Sequence, residues 1–538
     1  MNILGISGGV MSGNQDSSAA LLVDGKLVAA AEEERFTGIK FANGLLPRNA
    51  AMFCLKAVGL KVQDLDYVVF PGATYADFES ILKRYFEFHF GYAPPIKLVD
   101  HHTAHAASTF YGSGLESALV ITMDYSGDRK STTVSIGRNG HLESVEEIYK
   151  PNSLGIYYSS VTQYLGFQKD SDEYKVMGMA AYGKPLCDFS KILEVTETGY
   201  LFHYDYIRGV SGTAPAPSKQ ERLFDEFPMP FPPRIPGSPI TQTHYDIAAS
   251  AQAQLERAVL QMVKYYVQKT GIAQVCLAGG VALNCLMNQK IRESDLVSHL
   301  YVPPVCSDAG LALGAAYLIA VMSGEKPCKL EHAYWGPEYS QEEIRFVLDR
   351  AGVPYEETTD PVGAAAQRIV DGRIVGWFQG RMEYGPRALG SRSILANPQI
   401  SEMKDTINQK VKFREEFRPL APAVLHEDGS KYFKHYTYSP YMTQTFTAKS
   451  ITAKEAPAIV HADGTSRLQT VHADTNPLYS ELIAEVGKQT GTRLILNTSL
   501  NAYNDPIACE PFQAMRTFFT TGLDSLVMGN FVLDKGKK

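Results

Sequence analysis

Apolar and polar positions along the chain alternate between short strand-like runs and longer helical runs. The opening NILGIS is an apolar strand, and SSAALLV, Asp24-Gly25 and KLVAAAEEE together predict a β-hairpin with a type I′ turn. The same order returns later as SALVITMDYS, TTVSIGR, Asn139-Gly140 and HLESVEEI. In both copies the first strand runs into a loop with an acid, Asp16 in the first copy and Asp124 and Asp128 in the second. A unit of strand, acidic loop and hairpin is therefore repeated.

The middle of the chain has the pattern of α/β units. Residues 244–270 form an amphipathic helix that Gly271 is expected to end. AQVCLAGG and HLYVPPV are predicted strands, followed by predicted helices in VALNCLMNQKI and SDAGLALGAAYLIAVM. Ligands of such folds bind at the strand ends.

Two segments break this pattern and set the predicted domain organisation. Residues 211–242 are rich in proline and predict a surface excursion, such as a lid or an interface segment. Residues 323–344 look like a linker, after which a helix (VGAAAQRIVDG) and a strand (RIVGWFQG) start a new unit. We therefore expect an N-terminal domain at 1–330 and a second α/β domain at 331–538.

Composition narrows the class of protein. The 538 residues are 45% hydrophobic and 20% charged, as in globular proteins, and the net charge of −7 argues against a large nucleic-acid-binding surface. The start has no signal-peptide pattern, and the sequence has no apolar run long enough for a membrane span. Seven scattered cysteines without a CxxC pair indicate reduced thiols, so a cytoplasmic protein is expected.

The stretch LVDHHTAHAAST contains the first candidate site. His101 and His105 are four residues apart, which places both imidazoles on one face of a helix, whereas His102 points elsewhere. Two histidines and two carboxylates would suit Fe, Zn or Mn, and Asp124 and Asp308 are the obvious carboxylates. Two solvated helix histidines, and aspartates that act only as helix caps or turn residues, are the alternative.

Residues 380–420 contain the second candidate site. GRMEYGPRALGSR and VKFREEFRP supply clustered cations: Arg381, Arg387, Arg392, Lys410, Lys412, Arg414 and Arg418. Guanidinium groups bind phosphate and carboxyl oxygens bidentately, and the glycines allow close approach of the backbone. The alternative is a solvated basic helix face.

Longer motifs, in this order, make the chain resemble a known family: VDGKLVAAAEEERF, SLGIYYSSVTQYLGF, EYKVMGMAAYGK, GRMEYGPRALGSRSILANP, VKFREEFRPLAPAVL, DGTSRLQTV and NTSLN. With the HxxxH pair, GGVALN and SDAG, they are similar to the nodulation protein U, cephalosporin and tobramycin O-carbamoyltransferases over nearly the whole chain. The resemblance implies a duplicated actin-like (ASKHA) metal-binding domain followed by a YrdC-like α/β domain.

The resemblance also implies roles for individual residues. His101, His105, Asp124 and Asp308 match the metal ligands, and the metal is expected to be Fe²⁺ or another divalent ion. The positions that match the groups holding ATP, carbamoyl phosphate and the adenylate intermediate are Gly155, Lys175, Gly279, Gly280, Asn284, Arg387, Arg392, Lys412, Arg418, Arg467, Asn497 and Ser499. The expected reaction forms carbamoyl-adenylate from carbamoyl phosphate and ATP, with Mg²⁺, and then carbamoylates a small-molecule hydroxyl.

The chain departs from the family at the expected proton acceptor. Family members carry His-Asp before the second strand, whereas this chain has Gln15-Asp16. Glutamine cannot act as a base, so Asp16 or another group would have to take the proton. Lys40 matches a position near the carbamoyl group, although a solvated loop lysine is the alternative.

Three other functions compete with this prediction. A tRNA threonylcarbamoyl-transfer protein shares the metal lobe, an actin-like small-molecule kinase would release ADP, and a binding protein with a decayed site would explain the missing histidine. The acidic balance and the fused C-terminal half count against the first, and the retained metal and arginine sets count against the last. The acceptor (a natural product or sugar) and the oligomeric state, a homodimer among the options, are left open.

Overall fold

The computed structural model of the chain describes residues 1–9, 16–204 and 231–536. Contacts divide the chain into two compact units. The first unit contains Met1–Phe70, Phe78–Lys97 and Asp308–Lys538, and the second contains Pro71–Asp77 and Leu98–Ser307. The predicted boundary near residue 330 is not part of this division and stays a prediction.

The described residues form strands of two to eleven residues. The strands are β1 Asn2–Ser7, β2 Ser18–Val23, β3 Lys26–Glu32, β4 Tyr67–Pro71, β5 Ile96–Val99, β6 Ser117–Gly127, β7 Lys130–Arg138, β8 His141–Tyr149, β9 Leu193–Thr196, β10 Gly199–Phe202, β11 Gln274–Ala278, β12 His299–Tyr301, β13 Glu356–Glu357, β14 Val375–Phe378, β15 Arg392–Ala396, β16 Ala421–Leu425, β17 Thr445–Thr447, β18 Thr465–Arg467, β19 Gln469–Val471, β20 Leu494–Ser499, β21 Ser525–Met528 and β22 Phe531–Asp534.

Helices connect most of these strands. The α-helices are α1 Glu34–Thr37, α2 Arg48–Ala57, α3 Phe78–Phe90, α4 His101–Ser113, α5 Leu154–Tyr164, α6 Glu173–Ala180, α7 Gln242–Thr270, α8 Cys285–Arg292, α9 Leu311–Met322, α10 Gln341–Ala351, α11 Pro361–Val370, α12 Met403–Lys410, α13 Gly429–Tyr432, α14 Ser450–Glu455, α15 Pro477–Thr490 and α16 Pro511–Thr520. In the described part of the chain, no helix combines the length and the apolar character that crossing a membrane requires.

The first unit begins with a five-stranded sheet in the order β3-β2-β1-β4-β5. Strands β1, β2 and β3 form an antiparallel meander, and β4 pairs with β1 in parallel. Helix α9 packs directly on β1, and a Cβ at Gly5 would overlap the Ala312 carbonyl of α9. The close approach of helix and strand therefore requires glycine at this position.

The second unit has a five-stranded sheet of the order β12-β11-β6-β7-β8. Its three-stranded meander β6-β7-β8 continues through the parallel neighbours β11 and β12. Read from the meander outward, both five-stranded sheets have the same strand order. That shared order is what a repeated unit predicts, and the duplication itself remains a prediction.

The C-terminal part of the first unit is a three-layer α/β sandwich. Its eight strands have the order β13-β22-β21-β14-β15-β20-β16-β19. Alternate residues of each strand face different cores: Trp377 packs with residues of α11 and α15, whereas Phe378 packs with residues of α10, α12 and α16. This confirms the predicted α/β class, while the likeness to YrdC domains stays a prediction.

Local patterns predicted several elements well. Both hairpin turns have positive φ at their two central residues, 49° and 73° at Asp24-Gly25 and 51° and 79° at Asn139-Gly140, as a type I′ turn requires. Gly271 ends α7 with a φ of 70°. Helix α9 begins at Leu311, later than the predicted start at Ser307 and Asp308, because Asp308–Gly310 forms a 3₁₀ turn.

Two other predictions have different outcomes. Most of the proline-rich segment, 211–230, lies outside the described residues. All seven cysteines are described, and none of them forms a disulfide with another; the prediction of reduced thiols stays a prediction.

Candidate metal centre and anion-binding residues

The histidine cluster begins helix α4, and its imidazoles face two directions. Asp100 caps the helix with its side chain. His102 Nδ1 lies 2.7 Å from Oγ1 of Thr122 on β6. The ring centroids of His101 and His105 are only 4.8 Å apart. The i, i+4 pair therefore shares one face of α4, as its spacing predicts, and His102 is turned toward the sheet.

Four side chains converge on one point at the end of β6. Ligand atoms of His101, His105, Asp124 and Asp308 all lie within 4.8 Å of one another. Asp124 Oδ2 is 3.2 Å from Nε2 of His101 and 4.0 Å from Nε2 of His105. Its Oδ1 accepts a hydrogen bond from the Gly280 N–H at 2.9 Å. Asp124 is thus oriented by backbone on one side and faces the imidazoles on the other.

The protonation states of His105 and Asp124 suit metal binding. Burial, and to a smaller extent His101, lowers the pKa of His105 to about 3, so its imidazole is neutral at physiological pH. Burial alone would raise the pKa of Asp124, but its hydrogen bond with His101 and the nearby His105 outweigh burial and lower that pKa. Neutral imidazoles and ionised carboxylates are the forms that bind metals, so this donor set fits a divalent transition metal.

Asp128 binds backbone groups at the start of α4. The sequence identifies it only as an acid in a repeated loop. Its Oδ2 accepts hydrogen bonds from the N–H groups of His101 at 2.8 Å and Ala73 at 3.0 Å. Its Oδ1 accepts from both N and Oγ1 of Thr74. Asp128 therefore fixes the backbone of a candidate metal ligand, a role that only its position four residues after Asp124 could have suggested.

Two glycines that the family resemblance assigns to ligand binding are required by close packing beside the cluster. Gly279 has a φ of 90°, and a Cβ there would overlap the Met123 carbonyl. A Cβ at Gly155 would lie 2.6 Å from the backbone N and Cα of Tyr125. Both glycines border the strand end that carries Asp124, and neither position has room for a side chain.

Replacing Gly279 with alanine is expected to lower the free energy of unfolding by about 3 kcal/mol, combining left-handed backbone strain with overlap against rigid backbone. The matched control is Gly271→Ala, which has a φ of 70° but open space around its Cβ. It should cost only about 1 kcal/mol. Urea unfolding followed by circular dichroism measures both, and equal losses would contradict the role of the Met123 overlap.

Lys175 and Asn284, both assigned to adenylate binding by resemblance, have partners within the protein. Lys175 Nζ lies 3.2 Å from Oδ1 of Asp172. Asn284 exchanges two amide hydrogen bonds with Gln252, at 2.8 and 2.9 Å, and its Oδ1 also caps α8 by accepting from the Met287 N–H. A ligand at Asn284 would have to bind through the hydrogen-bonding capacity of the amide that this network does not use.

Glu173, two residues before Lys175, should make stability depend on pH. Burial raises its pKa to about 7, although its Oε1 accepts hydrogen bonds from Ser159 Oγ and the Asp170 N–H, both at 2.7 Å. Between the unfolded pKa near 4.5 and about 7, the folded protein binds more protons than the unfolded chain. Stability should therefore fall as pH rises through this window, by about 3 kcal/mol.

The Glu173→Gln variant keeps an acceptor oxygen but carries no charge. We expect it to be about 3 kcal/mol more stable than the unsubstituted protein at pH 8 and nearly equal at pH 5. Chemical denaturation at both pH values measures the difference. The exposed Glu197→Gln is the control, and a Glu173→Gln effect of the same size at both pH values would contradict the protonation argument.

A loop at residues 383–392, the Arg387 loop, carries the first cations of the C-terminal site. Glu383 is 1% exposed, and its Oε1 accepts three backbone hydrogen bonds: from Leu389 and Ser391 at 2.7 Å and from Arg392 at 3.2 Å. The buried carboxylate of Glu383 therefore holds the loop in its curved conformation through three backbone N–H groups. Arg387 lies on the outer bend and is half-buried.

Side chains from distant strands hold the same loop. Asn497 Nδ2 donates to the Ala388 carbonyl at 3.2 Å, and Gln469 Nε2 donates to the Leu389 carbonyl at 2.7 Å. Asn497 also donates to Gln469 Oε1 at 2.9 Å. The structure thus places Asn497, a predicted ligand residue, as a support of the loop.

Arg392 is fully buried, and its guanidinium is used within the protein. It donates at 3.0 Å to three backbone carbonyls, those of Gln379, Ser391 and Pro337. Its guanidinium carbon lies 3.7 Å from the centroid of the Phe378 ring. Burial lowers the pKa of Arg392. These contacts give it a supporting position under the loop.

Lys412 is also buried, at the start of the segment that leads to Arg414 and Arg418. Its Nζ donates to Oγ of Ser499 at 3.2 Å, to O and Oδ1 of Asn501 at 3.0 and 2.6 Å, and to the Ser499 carbonyl. Burial, with the nearby positive charges of Arg414 and Arg418, lowers its pKa. Lys412 therefore joins the end of β20 to this basic segment.

The remaining arginines differ in their surroundings. Arg418 is half-buried with Nη1 3.7 Å from Oε2 of Glu415, and Arg467 is half-buried at the end of β18. Arg381 donates to the carbonyls of Val28 and Trp335, so it supports the fold. Of the cations here that the resemblance assigns to ligand binding, Arg387, Arg418 and Arg467 are half-buried, whereas Arg392 and Lys412 are buried.

Comparison of the sequence with known protein families indicates which class of reaction this site serves. Residues 2–94 and 87–317 match the family described as carbamoyltransferase N-terminus, and residues 366–535 match carbamoyltransferase C-terminus. The chain belongs to the carbamoyltransferase family. It is accordingly an enzyme of carbamoyl transfer.

Relatives that match most of this carbamoyltransferase include two nodulation proteins. It is 35% identical to nodulation protein NolNO of Sinorhizobium fredii over 99% of this chain and 83% of that protein. It is 38% identical to nodulation protein NolO of Bradyrhizobium diazoefficiens over 81% of this chain and 79% of that protein. The predicted family is therefore confirmed.

The carbamoyltransferase has a distant match among solved structures. The crystal structure of HypF from T. kodakarensis matches 61% of this chain and 48% of that protein, with 16% identity and a TM-score of 0.34. Similarity at this level does not establish a shared fold. The actin-like architecture of the N-terminal half stays a prediction.

The two predicted catalytic residues of the carbamoyltransferase lie on adjacent segments. The Asp16 N–H donates to the Phe41 carbonyl at 2.9 Å, and Lys40 precedes Phe41. Lys40 Nζ lies 3.5 Å from Oε1 of Glu34. Gln15, which occupies the position of the family histidine, lies outside the described residues.

Proposed function

We propose that this carbamoyltransferase is an ATP-dependent O-carbamoyltransferase. It activates carbamoyl phosphate as carbamoyl-adenylate and passes the carbamoyl group to a hydroxyl of a small molecule. The observation that carries the proposal is the presence, in one carbamoyltransferase chain, of the four-residue His/Asp cluster and of a loop built to present arginine. The first suits carbonyl activation, and the second suits phosphate binding.

The activation step is assigned to residues 331–538. Water hydrolyses carbamoyl phosphate to carbamate and inorganic phosphate. A carbamate oxygen then attacks the α-phosphorus of ATP, which arrives with Mg²⁺, and diphosphate leaves. Arg387, Arg418 and Arg467 would contact the phosphoryl oxygens, where charge builds in the transition state. Arg392, Lys412, Asn497 and Ser499 would act largely by holding these groups in place, given their contacts within the protein.

The transfer step is assigned to residues 1–330. The acceptor oxygen attacks the carbamoyl carbon, the bond to the AMP phosphate breaks, and the acceptor proton goes to the Asp16 carboxylate. Lys40 would lie near the carbamoyl group. The backbone and side chains proposed to hold the adenylate are those of Gly155, Lys175, Gly279, Gly280 and Asn284.

The metal cluster would support this second step. When bound by His101, His105, Asp124 and Asp308, a divalent ion supplies Lewis-acid polarisation of the carbamoyl carbonyl. Two imidazoles and two carboxylates suit Fe²⁺, and they also accept Zn²⁺ or Mn²⁺.

Product analysis tests the proposed function. The enzyme is incubated with ATP and carbamoyl phosphate, alone and with a panel of monosaccharides, aminocyclitols and polyketide alcohols, and nucleotides and carbamates are quantified by mass spectrometry. AMP, diphosphate and an O-carbamate are the expected products. ADP as the sole nucleotide product would indicate γ-phosphoryl transfer and overturn the proposal.

A further inference from the structure

Four consecutive ionisable residues at the end of β3 are buried. Glu32, Glu33, Glu34 and Arg35 are 5%, 2%, 6% and 2% exposed, respectively. Buried charges are costly unless each one has a partner, so such a run needs a specific reason. We call residues 32–35 the 32–35 cluster.

One side of the cluster binds the Arg387 loop. Arg35 Nη2 donates to the Gly385 carbonyl at 2.8 Å and to Glu32 Oε1 at 3.1 Å. Glu32 Oε1 in turn accepts from the Gly385 N–H at 2.8 Å. Both backbone polar groups of Gly385, two residues before Arg387, are therefore bound by side chains of the cluster.

The other side of the cluster binds the turn that carries Lys40. Arg35 Nη1 donates to Glu34 Oε1 at 2.6 Å. Glu34 Oε2 accepts from the Phe41 N–H at 2.6 Å, and its Oε1 lies 3.5 Å from Lys40 Nζ. Phe41 and Ala42 have φ values of 62° and 44°, a backbone conformation that non-glycine residues keep only when their surroundings impose it.

Glu33 has a different partner. Its Oε1 accepts from N and Nδ2 of Asn49 at 3.1 and 2.7 Å, and its Oε2 accepts from the Ala50 N–H at 2.8 Å. It therefore secures the first turn of α2 and contacts neither the Arg387 loop nor the Lys40 turn. Glu33 is as buried as its neighbours, which makes it a matched internal control.

We propose that Arg35 is a positioning residue that holds the Arg387 loop, through Gly385, in register with the Lys40 turn, through Glu34. A guanidinium is the one side chain that can serve this role, because its planar fork donates in several fixed directions at once. Arg35 reaches Glu32, Glu34 and Gly385 simultaneously, and a lysine ammonium at the same position lacks that span. This inference rests on the proposed function of Arg387 in binding carbamoyl phosphate.

The test is the KM for carbamoyl phosphate in ATP–diphosphate exchange, expressed per active site. Arg35→Lys is expected to raise this KM at least tenfold, and Glu34→Gln about threefold, because Glu34 reaches the loop only through Arg35. Glu33→Gln should change the KM less than twofold, even if it lowers the melting temperature as much. If the Arg35→Lys variant does not fold, the KM of the Glu34→Gln variant tests the inference instead.

A double-mutant cycle separates positioning from general destabilisation. In the Arg387→Gln background, Arg35→Lys should raise the KM less than twofold, since the group that it positions is gone. Independent effects in the cycle, or equal KM changes in the Glu33 and Glu34 variants, would overturn the inference. If Arg387→Gln itself leaves the KM unchanged, the proposed function of Arg387 fails instead.

Discussion

The Asp124→Asn variant is expected to lose its metal and keep its ability to make the adenylate. The amide can still accept the Gly280 N–H hydrogen bond, so the strand end should remain in place. On the other side, an uncharged amide replaces the carboxylate oxygen that faces His101 and His105. Losing an anionic ligand should lower metal affinity by about 100-fold or more.

Metal content and exchange activity measure this result independently. The variant and the unsubstituted enzyme are reconstituted with Fe²⁺ or Zn²⁺, desalted and analysed for metal per chain, and ATP–diphosphate exchange is then assayed with carbamoyl phosphate. We expect less than a tenth of the normal metal content and exchange within about twofold of normal. The exposed Asp295→Asn is the matched control.

Either of two results would contradict the expectation. Full metal retention by Asp124→Asn would mean that the four-residue cluster is a hydrogen-bonded acid–histidine network without a metal function. Loss of exchange together with metal would mean that the two proposed steps are not carried out by separate parts of the chain.

The sequence alone predicted correctly those features that are determined by residues close together in the chain. The Asp24-Gly25 and Asn139-Gly140 turns need only two adjacent residues that tolerate positive φ. The shared face of His101 and His105 follows from helical spacing alone. Asp308 is different, because its meeting with these histidines was expected from its place at a predicted helix start and from family resemblance, and no local pattern contains it.

In the basic region at residues 380–420, local sequence patterns do not distinguish the roles of individual arginines. Arg387 and Arg392 occur in one glycine-rich motif and look equivalent in the sequence, yet one is half-buried on a bend and the other is fully enclosed by backbone carbonyls. One of the carbonyls that bind Arg392 is that of Pro337, which belongs to a segment distant in the sequence. A guanidinium that binds phosphate and one that binds carbonyls require the same residue type, so only the fold separates them.

The 32–35 cluster was missed for the same reason. The three glutamates stand at the end of a predicted hairpin strand and within a family motif, and neither pattern indicates that they are buried. Their partners, Gly385, Asn49 and Phe41, are backbone groups on three other segments. Backbone acceptors and donors leave no signature in a sequence, although three consecutive acids in an apolar context are a signal that can be sought.

Lys412→Met is expected to lower the free energy of unfolding by about 3 kcal/mol and to abolish ATP–diphosphate exchange. Methionine fills a similar volume but donates no hydrogen bond, so the acceptors supplied by Ser499 and Asn501 lose their donor in a buried site. Buried acceptors without a donor cost about 1–3 kcal/mol. Exchange should disappear because the chain after β20 loses its connection to the segment with Arg414 and Arg418.

The matched control is Lys410→Met, which makes the same substitution two residues earlier at an exposed position. Its stability and exchange should stay within experimental error of the unsubstituted enzyme. Urea unfolding and exchange kinetics of both variants separate two roles for Lys412. Lost exchange at normal stability would mean that the ammonium acts on the ligand directly. Lost stability together with lost exchange identifies it as the support that its four acceptors indicate, since a ligand phosphate would have to displace those acceptors to reach it.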